Sequence, residues 1–259
     1  TVMSQELWGP MTSATTAYQF LKLCNKYADL TVGNRMHVPF QCHDFSARGM
    51  FGRYAGAMSG VGHLLSFVGT DTIAAIDAVE DYYNVLAENY LIGTSVPASE
   101  HSVTSLGIAV DGELETIRRW ITKDYSTGIV SVVSDTLDYW RVLTEYLPIL
   151  KNEILARKPN ALGLSKVVIR PDSGDPVTIN SKLIEILGAK FGYTTNSKGF
   201  KVLNHVRIIQ GDGVSELSIR SILGAFMASG WSADNIAFGM GGALLQQIDR
   251  DTQRFAMKC

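Results

Sequence analysis

IVSVVSD (129–135), KVVIRPD (166–172), VRIIQGD (206–212) and NIAFGMGG (235–242) repeat one pattern, an apolar strand that ends in an acid or in glycines. Each run precedes a segment with helical periodicity. Continuous Val- and Ile-rich runs are typical of parallel strands that helices cover on both faces. The pattern therefore predicts an α/β fold, and strand–helix units along most of the chain favour a barrel over an open doubly wound sheet.

The composition fits a large folded domain and argues against two classes of surface. The chain has 259 residues, of which 46% are apolar and 19% charged, with a net charge of −2. This balance argues against a nucleic-acid surface built on positive charge. No apolar run approaches the ~18 residues of a membrane span. Three cysteines without metal-ligand spacing, Cys24, Cys42 and Cys259, indicate a reducing compartment and no zinc site.

The remaining periodicity predicts helices, short strands and loops in a single domain over 1–259. A short strand is expected within MHVPFQCHDF (36–45), and a strand-like start within SVPASEHS (95–102). The polar stretch 191–205 reads as a long loop or hairpin. Helices are expected at 12–28 behind Thr and Ser caps, at 54–66, 72–84, 113–125, 136–157, 177–190 and 215–229, and after Gly242.

IRPDSGDP (169–176) is the densest chemical motif. Arg170 offers a planar cation suited to phosphate or carboxylate, and Asp172 lies on the same side of an extended chain. An Arg–Asp pair that braces a turn explains the same residues. IQGDG (209–213) and the glycine pair of NIAFGMGG resemble turns whose backbone N–H groups approach a phosphate.

His101 stands out among the five histidines because Glu100 precedes it and Asp135 ends a predicted neighbouring strand. An imidazole can accept a proton or a phosphoryl group when a carboxylate holds its other nitrogen. The alternative is that His101 caps a helix.

HDFSARG (43–49) and GTDT (69–72) suggest a site for a flat, amide-bearing ring. Phe45 could stack such a ring and Arg48 could hold a nearby phosphate, although an isolated Phe is more often core. Asp71 could accept a hydrogen bond from an amide N–H₂ and would repel a carboxylate ligand. It could equally be the N-cap of the helix that follows.

Together these motifs resemble the nicotinamide phosphoribosyltransferases, which are type II phosphoribosyltransferases. The resemblance runs from about residue 8 to the last residue. It rests on an ordered set: HDF-x-x-RG, GTDT, SVPA-x-EHS, SVVSD, IRPDSG-x-P, TNSKG, IQGDGV and IAFG-x-GG-x-LLQ. It implies a catalytic domain over 1–259 that is an incomplete TIM-like (β/α) barrel. It also implies that the family's second, β-rich domain, built from N- and C-terminal parts, is largely absent.

The resemblance implies transfer of phosphoribosyl from phosphoribosyl pyrophosphate to nicotinamide, which gives nicotinamide mononucleotide and pyrophosphate. It implies Mg²⁺ with the pyrophosphate, ATP coupled through a phosphorylated histidine, a cytoplasmic homodimer with shared sites, and no nucleic-acid or membrane partner. The alternatives are a nicotinate phosphoribosyltransferase and a non-catalytic barrel that binds phosphoribosyl ligands. Another phosphate-binding barrel, such as an aldolase, lacks an obvious Schiff-base lysine at a strand end.

Residue by residue, the resemblance makes His101 the phosphorylated histidine, with Asp135 beside it. Phe45 would stack the pyridine ring and Asp71 would bind its carboxamide. The remaining assignments are Arg170 on the substrate, Asp172 and Asp212 on ribose hydroxyls, Gly211, Gly241 and Gly242 along the ribose phosphate, and Arg48, Arg250 and Lys258 on phosphate or pyrophosphate. Ala256 replaces a serine of the family's pyrophosphate site, so weaker pyrophosphate binding is expected.

Overall fold

The computed structural model describes residues 2–245 and Arg254, and it divides into two compact units. Unit 1 contains the described residues up to Ser95, Val214–Arg220, and those from Ala237 onward. Unit 2 contains Val96–Gly213 and Ser221–Ile236. The single catalytic domain over 1–259 stays a prediction.

The strands and helices of the described residues follow one another in the alternating order expected of an α/β fold. The strands are β1 (Cys42–Asp44), β2 (Gly69–Thr70), β3 (Ile129–Val133), β4 (Lys166–Arg170), β5 (Tyr193–Thr195), β6 (Lys201–Leu203), β7 (Val206–Gln210) and β8 (Ile236–Met240). The α-helices are α1 (Val2–Thr31), α2 (Arg53–Leu64), α3 (Ile73–Tyr83), α4 (His101–Asp111), α5 (Glu113–Arg119), α6 (Tyr139–Arg141), α7 (Leu147–Ile149), α8 (Lys151–Leu155), α9 (Pro176–Phe191), α10 (Glu216–Ala228) and α11 (Gly242–Leu245). Short 3₁₀ helices cover Val38–Phe40, Ala47–Gly49 and Ala233–Asn235, and π-helical turns cover Trp120–Asp124 and Val142–Tyr146.

Unit 1 contains a small parallel sheet, and α2 packs against β2 and against both α1 and α3. β1 pairs with β2 on one side and with β8 on the other, so the ends of all three strands lie at the same edge. α2 can approach its neighbours because it is rich in glycine. A Cβ at Gly62 would lie 2.5 Å from the carbonyl oxygen of Pro10, and one at Gly60 would lie 2.5 Å from the Cβ of Ala75.

Unit 2 contains β3, β4 and β7, which are parallel neighbours in that order, and the antiparallel hairpin of β5 and β6. The register aligns Val133 of β3 with Arg170 of β4, so the two strands end together. Apart from half-buried Ile129, the Val and Ile residues of β3, β4 and β7 are buried, as their continuous apolar sequences predict. The hairpin at 191–205 is confirmed.

Three details of the sequence prediction were wrong. α1 begins before residue 12, so Thr12 and Ser13 lie inside it, and Ser13 binds the hydroxyl of Ser59 instead of capping a helix. The expected helix at 136–157 is present but is not one regular α-helix: it runs continuously from Tyr139 to Ile149 through a π-helical turn and is interrupted at Leu150 before α8. SVPASEHS forms a single parallel bridge, between Ala98 and Ser131, rather than a strand.

The α/β class is confirmed, and each predicted strand end does carry its acid or glycine. No helix among the described residues is both long and apolar enough to cross a lipid bilayer.

Candidate active site

In unit 2, the start of α4 brings His101 to Asp135, which follows β3. The Nε2 atom of His101 lies 2.9 Å from Oδ1 of Asp135. Since a carboxylate oxygen accepts, Nε2 carries a hydrogen, and in the neutral imidazole the lone pair is then on Nδ1. His101 does not cap the helix, because that role belongs to Glu100, whose carboxylate accepts from the Ser102 amide at 2.9 Å.

Asp135 is held in its ionised form by several donors. Burial alone would raise its pKa, but hydrogen bonds from the side chains of Ser173 and His101 and from the Asp172 amide outweigh burial. The pKa of Asp135 is therefore lowered from its ordinary value. The second oxygen, Oδ2, accepts from the Asp172 N–H at 3.1 Å, so one carboxylate joins the ends of β3 and β4.

Arg170 and Asp172 form a tight pair beside this histidine. Arg170 Nη2 donates to Asp172 Oδ2 at 2.9 Å, and both side chains are largely buried. The same Oδ2 lies 3.8 Å from His101 Nδ1. A Cβ at Gly211 would clash with Asp172 Oδ1 and lie 2.7 Å from Arg170 Nε, so only glycine lets the backbone approach this pair. The alternative interpretation of the pair as a brace is also compatible with this geometry.

Asp212 is exposed, on a turn that is held by buried side-chain amides. Gln210 Nε2 donates to the Asp212 carbonyl oxygen at 2.6 Å, and Gln210 Oε1 accepts from Asn180 Nδ2 at 2.6 Å. Asn180 also donates to the Pro176 carbonyl at 2.8 Å. Both side chains are buried, so the turn after β7 is tied to the start of α9.

In unit 1, Phe45 and Asp71 stand at the ends of β1 and β2. The Phe45 amide donates to the Met240 carbonyl at 2.9 Å, and its half-buried ring lies 6.1 Å from the ring of His43. Asp71 is exposed, and its Oδ1 accepts from Ser95 Oγ at 2.5 Å. Neither alternative holds for these two residues, because Phe45 is not core and α3 has Thr72, not Asp71, as its N-cap residue.

The other predicted contact residues follow β1 and β8 or fall outside the described part. Arg48 is exposed on the 3₁₀ helix after β1, while Gly241 and Gly242 follow β8 at the start of α11. Arg250, Ala256 and Lys258 lie outside the described residues.

Three polar residues beside the predicted site residues of the two units were not singled out from the sequence. Asp44 is fully buried at the end of β1, Ser95 binds Asp71, and Ser173 binds Asp135. Asp44 carried a usable signal, because it ends a short strand just as Asp135 and Asp172 follow theirs. The two serines carried none, since their partners come from distant parts of the chain.

Comparisons with known proteins place this chain among pyridine phosphoribosyltransferases. Residues 40–259 match the model of the nicotinate phosphoribosyltransferase (NAPRTase) family. The chain is similar to the nicotinamide phosphoribosyltransferase of Acinetobacter baylyi, with 46% identity over all of this chain and 53% of that protein. The same-named protein of Xanthomonas campestris is 43% identical over 98% of this chain and 52% of its own length. The chain thus spans about half the length of these curated relatives.

The fold agrees with a solved structure of the same family name. The crystal structure of nicotinate phosphoribosyltransferase from Porphyromonas gingivalis matches with a TM-score of 0.55, covering 93% of this chain and 51% of that one. At 14% identity this likeness shows the fold alone, and it confirms the predicted incomplete (β/α) barrel class over the open doubly wound sheet. The chain belongs to the nicotinate phosphoribosyltransferase family.

Proposed function

We propose that this chain carries the catalytic groups of a phosphoribosyltransferase that joins nicotinamide to the ribose of phosphoribosyl pyrophosphate. The products are nicotinamide mononucleotide and pyrophosphate. The names of the two most similar relatives reported above support this reaction. The observation that carries the proposal is the Asp71 carboxylate: Ser95 donates to Oδ1, and Oδ2 has no hydrogen-bond donor among residues 2–245.

The pair of Phe45 and Asp71 suits an uncharged pyridine amide. The half-buried ring of Phe45 offers an apolar face for stacking, and Asp71 Oδ2 can accept an amide N–H. Nicotinate would place a second carboxylate beside Asp71, and repulsion between the two negative charges disfavours its binding. A nicotinate phosphoribosyltransferase is the second candidate, because the family model and the structural neighbour carry that name.

Two acids of unit 2 suit the charge that develops when the ribose–pyrophosphate bond breaks. Positive charge grows on the sugar, so Asp172 and Asp212 favour the transition state, while cations favour the departing pyrophosphate. Arg170, Arg48, Arg250 and Lys258 are the proposed cations, and Gly211, Gly241 and Gly242 leave room for the ribose phosphate. We propose that Mg²⁺ enters as part of the substrate, bound to pyrophosphate oxygens, as this ion usually is with phosphate ligands.

His101 is the proposed acceptor of a phosphoryl group from ATP. Its Nδ1 lone pair would attack the γ-phosphorus while the bond to the ADP oxygen breaks and ADP leaves with that electron pair. Asp135 would stabilise the positive imidazole through Nε2–H, and Arg170 would offset the charge of Asp172 near the new phosphoryl group. Coupling to ATP, a homodimer with shared sites and a cytoplasmic location complete the proposal; the free thiols of Cys24 and Cys42 agree with that location.

The test uses a full-length protein, because the relatives are about twice as long as this chain. In the hybrid protein, this chain replaces the matching segment of the Acinetobacter baylyi relative, which serves as the positive control. Each protein is mixed with phosphoribosyl pyrophosphate, Mg²⁺ and equimolar nicotinamide and nicotinate, with and without ATP. Products are measured by mass spectrometry, and folding by circular dichroism and gel filtration.

We expect nicotinamide mononucleotide as the main product, with more of it when ATP is present and less in His101→Ala. Asp71→Ser should shift the product ratio toward the nicotinate product. A parent hybrid that makes mainly nicotinate mononucleotide would establish the second candidate instead. A folded hybrid without either product, beside an active control, would contradict the transferase proposal.

A further inference from the structure

The side chain of Asp44 is a buried carboxylate that is stabilised by hydrogen bonds rather than by an ion pair. It is 0% exposed, at the end of β1. Oδ1 accepts from the Ser46 amide at 2.8 Å and from Ser46 Oγ at 2.6 Å, and Oδ2 accepts from Thr72 Oγ1 at 2.8 Å. No Lys or Arg within residues 2–245 lies at ion-pair distance. Burial lowers the pKa of nearby His63 and outweighs the opposing charge of Asp44, so this imidazole stays neutral.

These hydrogen bonds join two loops that carry different parts of the proposed nicotinamide site. Ser46 follows Phe45, the proposed stacking ring, and Thr72 follows Asp71, the proposed amide acceptor. The Asp44 main chain reinforces the link, because its carbonyl oxygen accepts from the Asp71 amide at 3.0 Å. One residue therefore contacts both loops through separate atoms.

Gly60 of α2 lies close to the Asp44 carboxylate and to Thr72. A Cβ at Gly60 of α2 would lie 3.3 Å from Asp44 Oδ2 and 3.3 Å from Thr72 Cγ2. The carboxylate is thus packed against α2 as well as bonded to the loops. A buried carboxylate is costly unless its oxygens are hydrogen-bonded, and both oxygens of Asp44 are.

We infer that Asp44 is a positioning residue that fixes the distance between Phe45 and Asp71, and that Thr72 is the donor through which it acts on Asp71. This inference rests on the proposed function, because it concerns how the same site selects an amide over an acid. A displacement of Asp71 relative to the stacked ring would lengthen the hydrogen bond from the amide. It would also weaken the repulsion between Asp71 and nicotinate, so the preference for nicotinamide over nicotinate would fall together with the affinity for nicotinamide.

The test compares three threonine variants of the hybrid protein. Thr72→Val removes the hydroxyl that donates to Asp44, Thr72→Ser keeps it, and Thr12→Val changes a buried threonine of α1 whose Oγ1 has no recorded partner within the described residues. Steady-state kinetics give kcat and KM for nicotinamide, for nicotinate and for phosphoribosyl pyrophosphate. Thermal unfolding reports any general loss of stability.

In Thr72→Val we expect the KM for nicotinamide to rise roughly tenfold, which corresponds to about 1.4 kcal/mol. The preference for nicotinamide over nicotinate in kcat/KM should fall by a similar factor, with kcat and the KM for phosphoribosyl pyrophosphate within about twofold of the parent. Thr72→Ser should restore both values. As a second variant, Ser46→Ala should raise the KM for nicotinamide in the same direction.

The inference is overturned if Thr72→Val keeps the KM and the preference of Thr72→Ser and Thr12→Val, even with a lower melting temperature. It is also overturned if all substrates lose affinity equally, because that is the result of general destabilisation. If the parent hybrid makes no nicotinamide mononucleotide, the proposed function fails first and this inference falls with it.

Discussion

Replacing Asp135 with Asn should prevent phosphorylation of His101 by reversing the imidazole tautomer. The Asp172 amide donates to Asp135 Oδ2 at 3.1 Å, so the single oxygen of an Asn side chain must face that N–H. The NH₂ group then faces His101 Nε2, which can only accept from it. The hydrogen therefore moves to Nδ1, and the lone pair that would attack ATP is lost.

The structure sets the size of this effect. Asp135→Asn removes a charge-assisted hydrogen bond, worth about 1.5–3 kcal/mol, which is about 10–150-fold in an equilibrium constant. The wrong tautomer adds to this loss, and a comparable carboxylate-to-amide change beside a catalytic histidine costs about 10⁴ in rate. We therefore expect the rate of phosphohistidine formation to fall by at least about 100-fold.

The assay follows phosphate transfer from labelled ATP to the hybrid protein and identifies the phosphohistidine isomer by ³¹P NMR. Asp138→Asn is the matched control, because Asp138 caps α6 through its side chain and Asn caps helices equally well. The parent and Asp138→Asn should be labelled on Nδ1, and His101→Ala not at all. Labelling of Asp135→Asn at the parent rate, or a phosphoryl group on Nε2 of the parent, would refute the reasoning.

Three further predictions concern unit 2. Gly211→Ala should raise the KM for phosphoribosyl pyrophosphate roughly tenfold, about 1.4 kcal/mol, because the Cβ of the alanine would displace the pair of Arg170 and Asp172. An unchanged KM in steady-state kinetics would contradict this prediction. Arg157→Met should lower the free energy of unfolding, measured in urea, by about 2–4 kcal/mol, because buried Arg157 donates to four backbone carbonyls. A loss below about 0.5 kcal/mol would reject this prediction. The pKa of Asp135 is lowered in the folded state, so the stabilisation that ionised Asp135 gives is present above the ordinary pKa of about 3.9 and is lost as pH falls through the folded value. The difference in unfolding free energy between the parent and Asp135→Asn should therefore shrink between about pH 6 and about pH 3. A difference that grows over this range contradicts the prediction.

The strand ends were predictable because burial imposes a one-dimensional pattern on the sequence. β3, β4, β7 and β8 are apolar runs that need no partner information to be recognised, and the acid or glycine after each run follows directly. The pairing of His101 with Asp135 was also predictable, since α4 starts where a parallel neighbour of β3 would end. The π-helical turn at Val142–Tyr146 was not, because the apolar periodicity of 136–157 continues through it.

Contacts between polar side chains could not be predicted from the periodicity of the sequence. Ser95 and Asp71 are separated by a helix and a loop, and nothing in the sequence of either indicates the other. The same holds for Arg157, which looks like an ordinary surface cation in the sequence but is buried among carbonyl groups. Such residues are placed by the approach of backbone segments, which local sequence does not encode.

Asp44 and Asp135 show why the same sequence pattern leads to two kinds of carboxylate. Both end or follow a buried strand. Asp135 meets an imidazole that can change its charge, so its own ionisation is coupled to a reacting group. The hydrogen-bond donors to the Asp44 carboxylate are two hydroxyls and one amide, beside α2, and nearby His63 is kept neutral by burial, so this carboxylate fixes geometry. The fold places a carboxylate at the end of each strand, and the groups around that carboxylate determine whether it acts on a reacting group or positions neighbouring residues.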